Sequence, residues 1–148
     1  MLVETAGAKA LADVRASVAF ERLTGDLSAA AGDVRVTEAT CVKSIGDVDK
    51  PRSGLYLFNY FMSDDPAAAL ELWDHLAGWY VKETGLVNST VLAPTGDGDF
   101  AFVNHARWDI GLPRLMARQF TTPTFRSYLL ANLRANHTSV MPVLFHRA

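Results

Sequence analysis

The sequence is short of several things at once. It holds one cysteine, Cys41, among 148 residues. That excludes an intrachain disulfide framework and reads Cys41, beside Val42, as a small apolar side chain rather than a nucleophile. An excess of one charge is also missing. Fourteen Lys and Arg against sixteen Asp and Glu give a net charge of −2, with the basic residues scattered, so no nucleic-acid footprint is present. No apolar run approaches the roughly 20 residues that span a bilayer. The N-terminus lacks a basic segment followed by an apolar one, so neither a secretory signal nor a membrane partner is expected, and the cytoplasm is the expected location. Histidines 75, 105, 137 and 146 show no His-x-His or His-Glu-x-x-His spacing, and no glycine-rich phosphate loop or dinucleotide fingerprint occurs. Ser89 and Ser127 have no adjacent base signature, and Asp64-Asp65 is better read as a helix cap than as an acid–base pair. Neither a metal nor a cofactor is expected.

What the sequence does have is a globular core composition, 49% hydrophobic with 20% charged residues, at a length that fits one main domain. An alanine-rich stretch with Leu11, Val14, Val18 and Leu23 near helical spacing predicts one helix over residues 2–31. The β-branched stretch 34–42 predicts a strand, and GDVDKPRSG (46–54) has loop composition. Residues 1–50 are therefore read as a helix-strand extension and 51–148 as the main domain.

Within 51–148 the signals alternate. LYLFNYF predicts a strand over 55–62, and SDDPAAA announces a helix capped by Asp65 with Pro66 in its first position. Its apolar stripe is Ala69, Leu70, Trp73, Leu76, Ala77, Tyr80 and Val81, and Gly85 marks its end. A strand at 86–93, a hairpin favoured by Asp97-Gly98 and a strand at 100–108 follow. Two helical pieces broken near Thr121 lead to a final strand at 138–146. The order β-α-β-β-α-β is the ferredoxin-like split motif, so the fold class is α+β. Both faces of the first strand are apolar: Leu55, Leu57 and Phe61 accompany Asn59, while Tyr56, Phe58, Tyr60 and Met62 face the other way. A homodimer packed sheet to sheet would bury the second face; cover by the N-terminal extension is the competing account.

Asn59 is the anomaly in its strand, since asparagine is depleted there and a buried amide without partners costs roughly 1–3 kcal/mol. Period-two alternation puts Phe100, Phe102, Asn104, Ala106 and Trp108 on one face of the 100–108 strand. In the split motif this strand neighbours the first, so Asn59, Asn104 and Trp108 can converge if the faces agree. Each amide bonding locally, with Trp108 as ordinary core, is the plainer alternative. Convergence of a few polar groups in an apolar surround is how small-molecule pockets orient their ligands.

LYLFNYF with Asn59, the helix with Trp73, GLVNSTVL, FVNHARWD with Asn104 and Trp108, and the TPTFR helix start resemble the antibiotic biosynthesis monooxygenase family. The resemblance covers about residues 54–148. It implies a dimeric α+β barrel and an oxygenase free of cofactor that oxidises an anthrone-like aromatic polyketide to a quinone with molecular oxygen. It implies catalytic roles for Asn59, Asn104 and Trp108, and a flat substrate suits a pocket bordered by Trp73, Phe102, Trp108 and Tyr128. Asn and Trp do not titrate, so they fit hydrogen-bonding to a developing oxyanion and peroxide. Haem-degrading members add a ligating histidine on the second long helix, where this chain has Tyr128, Leu129, Leu130 and Ala131. A polyketide cyclase and a non-catalytic ligand-binding dimer are the alternatives of the same fold.

Overall fold

The computed structural model describes residues 1–96 and 98–146. It divides into two compact units, residues 1–36 and 37–148. The first holds α1 (Ala8–Arg15) and α2 (Val18–Ala31) rather than one helix. Ser17 makes the break. Its hydroxyl donates to Val14 O at 2.6 Å and accepts from Phe20 N–H at 3.2 Å, so one side chain ends α1 and caps α2.

The second unit begins with β1 (Ala39–Gly46), later than the stretch whose β-branched residues predict it. Pairing explains the shift. β1 lies antiparallel to β3 (Ser89–Pro94) from Ala39 opposite Pro94 to Gly46 opposite Ser89, with register shifts on either side of Lys43-Ser44. The partner strand, more than local propensity, sets its span. A sequence boundary at 50/51 would detach this strand from the sheet it extends.

A βαββαβ path opens with β2 (Leu55–Met62), α3 (Pro66–Thr84), β3 and β4 (Phe102–Trp108). The last helical region is α4 (Leu112–Thr121), a π-helical turn (Phe125–Leu130) and α5 (Ala131–Ala135), leading into β5 (Ser139–His146). The sheet is antiparallel throughout, in the order β1-β3-β4-β2-β5. β2 and β3 run parallel on either side of β4, which requires the α3 crossover between them. The hairpin expected at Asp97-Gly98 involves Asp97, which lies outside the described residues.

Local chemistry sets the limits of α3. Asp65 accepts from Ala67 and Ala68 N–H at 3.1 and 3.0 Å, Pro66 occupies the first turn, and Gly85 takes the left-handed conformation at φ 74°. Its buried face includes Leu72 and Trp79, outside the expected stripe, whereas Val81 is exposed. Ala69, Trp73 and Leu76 pack with Phe61, Phe102 and Leu129 in one apolar cluster, in which the Phe61 and Phe102 rings stack at 4.4 Å. Leu55, Leu57, Ala106, Trp108 and Leu115 form a second. Between these clusters lies a cavity.

Candidate functional site

The cavity encloses about 50 Å³ between α3 and the sheet, and its wall includes Leu57, Asn59, Trp73, Tyr80, Asn104 and Trp108. Its two amides come from neighbouring strands: Asn59 of β2 pairs directly with Asn104 of β4. Because residues paired across a ladder project to the same face, this register puts both side chains on the helix side. The alternation that joins Asn104 to Trp108 and Asn59 to Leu57 thus leads all three polar-tipped residues to one cavity, together with Trp73.

The three are not equivalent. Asn59 Oδ1 is buried without a hydrogen-bond partner, which costs roughly 1–3 kcal/mol. Asn104 is held: its Oδ1 accepts from the hydroxyl of Ser89, a fully buried residue of β3. Trp108, read from sequence as a donor to a bound oxyanion, is committed elsewhere. Its indole N–H donates to Thr84 Oγ1 at 3.0 Å, and Thr84 in turn donates to Tyr80 O at 2.7 Å. Trp108 therefore offers the cavity a ring surface.

Tyr80 supplies a polar group that an apolar-stripe reading overlooks. Its hydroxyl stands 3.5 Å from Gln119 Oε1. Burial pushes the phenol up to about 12, because the charged form is the one that loses hydration. It is a protonated donor at any physiological pH. Ser89, without an adjacent base, has no nucleophile signature; its role as a partner of Asn104 is visible only once β3 and β4 are in register. Thr84 sits in the last turn of α3, where nothing in the sequence singles it out.

Two residues expected at the substrate pocket lie elsewhere. Phe102 is 1% exposed and stacks on Phe61 within the core; it follows the expected face but is covered by its neighbours. Tyr128 borders an open groove with Trp79, Lys82 and Thr124, while Leu129 and Leu133, four residues apart, line the cavity. His105 faces away from Asn104, as alternation requires, with Nδ1 3.0 Å from Leu57 O and its ring stacked on Phe58 at 4.5 Å. Arg107, 2% exposed on that same face, donates to Ser53 O and Asp109 Oδ1, each at 2.8 Å. That hydrogen bond holds the Asp109 carboxyl below the usual carboxylate range. Among the described residues no group of three His, Cys, Asp or Glu is placed to hold a metal ion, and no helix is long and apolar enough to cross a membrane.

No protein-family model matches the chain, and no curated protein matches its sequence. Among solved structures it is similar to SnoaB, a cofactor-independent oxygenase from Streptomyces nogalater. The two share 22% identity at a TM-score of 0.53, over 66% of this chain and 95% of that one. The likeness establishes a related fold.

Proposed function

We propose that the protein is a cofactor-independent monooxygenase that oxidises an anthrone-like aromatic polyketide to a quinone with molecular oxygen. The observation that carries this reading is the cross-strand pair Asn59 and Asn104 in an otherwise largely apolar cavity, with a buried amide oxygen left unpartnered. A fold related to that of SnoaB supports it.

In this reading the substrate supplies the electrons. The benzylic C–H proton of the anthrone passes to water, leaving an enolate whose negative charge rests largely on the ketone oxygen. The enolate gives one electron to oxygen, the two radicals join in a new C–O bond, and a proton completes the hydroperoxide. Loss of the remaining benzylic proton with cleavage of the O–O bond releases water and leaves the second carbonyl. One oxygen atom enters the product and the other becomes water.

The protein's part is electrostatic. Lowering a carbon acid's pKa by ~3 units takes ~4 kcal/mol, within reach of two hydrogen bonds to a charged oxygen at ~1.5–3 kcal/mol each. Asn104 Nδ2 is one donor; the second is the Tyr80 hydroxyl, turned from its long 3.5 Å bond to Gln119 Oε1, in place of Trp108, whose N–H is held by Thr84 at 3.0 Å. The aromatic walls Trp73 and Trp108 suit a flat ring system. Pockets for ligands of this size hold roughly 300–1,000 Å³, so binding must enlarge the cavity. A homodimer packed sheet to sheet belongs to the same proposal, supported by exposed Met141 and Val143, which pair with Tyr60 and Phe58 on the face opposite Asn59.

Oxygen uptake and quinone formation from a model anthrone test the reading. Turnover in air that stops without oxygen and falls at least tenfold in Asn59→Ala and Asn104→Ala is expected. Conversion that continues anaerobically assigns a cyclase instead, and a ligand bound but unchanged in air assigns a binding module.

A further inference from the structure

An asparagine amide is nearly symmetric in shape and opposite in electrostatic sign at its two ends. In a cavity with few polar groups, its rotation about Cβ–Cγ decides whether a ligand meets a donor or an acceptor. The group that decides this for Asn104 is Ser89. We propose that Ser89 is a positioning residue that sets the polarity of the cavity by holding the Asn104 oxygen away from the ligand and its NH₂ toward it.

Three observations carry the assignment. Ser89 is 0% exposed, so no water competes for its hydroxyl. That hydroxyl donates to Asn104 Oδ1, and its other neighbour, His105 O at 3.4 Å, is also an acceptor. A flipped amide would make Ser89 the acceptor of an Asn104 N–H and leave the serine proton only the 3.4 Å contact with His105 O. It would also add a second acceptor to a cavity that already holds the unpartnered Asn59 Oδ1, and two facing acceptors without a donor are the costly arrangement for buried polar groups. With the amide as it stands, the cavity presents a donor at Asn104 opposite an acceptor at Asn59. It is therefore complementary to a ligand carrying an anionic or carbonyl oxygen beside a hydroxyl.

The inference uses the proposed reaction only to say which oxygen becomes the anion, and ligand ionisation can be measured without turnover. The probe is 1,2-dihydroxyanthraquinone, whose colour reports the ionisation of its hydroxyl. Bound to the native protein, its apparent pKa is expected to fall by about one unit, a tenfold change in ionisation constant. Ser89→Ala frees the amide and should abolish at least half of that shift, while changing affinity for the neutral form, measured at low pH, by less than threefold. Ser89→Thr, which keeps the hydroxyl, should restore the shift. Where an anthrone is turned over, Ser89→Ala should lower kcat about tenfold with little change in KM. A shift that is Ser89-dependent in a protein that consumes no oxygen upholds the positioning role and overturns the oxygenase reading. A probe that does not bind, or a shift that persists in Ser89→Ala, overturns the positioning role.

Discussion

The hydrogen bond from Trp108 to Thr84 is open to a direct energetic test. Trp108 is 4% exposed and Thr84 1%, so neither group has water to fall back on. Thr84→Val keeps the shape and removes the hydroxyl. The carbonyl of Tyr80 loses one donor but keeps Leu86 N–H at 3.4 Å, so the cost falls mainly on the indole N–H, left buried without an acceptor. A penalty of about 2 kcal/mol is expected, within the ~1–3 kcal/mol typical of an orphaned buried donor. Trp108→Phe removes the other partner and, with it, packing against Tyr80, whose ring lies 6.2 Å away. The double variant then lacks both halves of the bond, and the orphan with it. Its destabilisation should therefore fall short of the sum of the singles by about 1 kcal/mol or more. Urea unfolding followed by far-ultraviolet circular dichroism gives all four corners of the cycle without relying on tryptophan fluorescence. A Thr84→Val cost below about 0.5 kcal/mol, or additivity within about 0.3–0.5 kcal/mol, would refute the account of Trp108 as a ring held by Thr84.

Asn59→Leu should stabilise the fold by about 1 kcal/mol, since it removes a buried acceptor that no group meets, and should abolish anthrone turnover; urea midpoints and oxygen uptake read the two effects, and a destabilised Asn59→Leu would mean that the amide already has a partner. Tyr80 predicts an alkaline transition. Its folded pKa, about 12, lies above the ordinary 10.0, so its contribution is complete below pH 10 and is lost as pH rises through 12. The difference corresponds to roughly 3 kcal/mol. Tyr80→Phe should flatten that fall in stability, and an unchanged slope in alkaline unfolding would show that the phenol is not the group responsible.

Several features were legible in the residues themselves because they depend on chemistry within a few positions. Asp65, Pro66 and Gly85 delimit α3 through backbone groups in its own first and last turns, and the span of β2 follows from an apolar run bounded by loop and cap residues. Alternation settled that Asn59 shares a face with Leu57 and that Asn104 shares one with Trp108, since a strand admits no other arrangement. Whether those two faces were the same face was beyond it. The register of β2 on β4 decided that, by setting Asn59 opposite Asn104.

Other outcomes lay beyond what periodicity along the chain conveys. Ser17 divides the N-terminal helix through a local hydrogen bond that periodicity alone does not weigh, and β1 takes its limits from β3. Helical spacing allows both Tyr128 and Leu129 on the buried side of the last helical region, and packing alone puts Leu129 at the cavity and Tyr128 at the groove. The polarity of the site lies wholly at this second level. The sequence determined that two amides and an indole would occur in an apolar setting. Tertiary structure alone decided that Thr84 would take the indole N–H and Ser89 the Asn104 oxygen, because hydrogen bonds between buried side chains follow from which groups packing brings within 3 Å of one another.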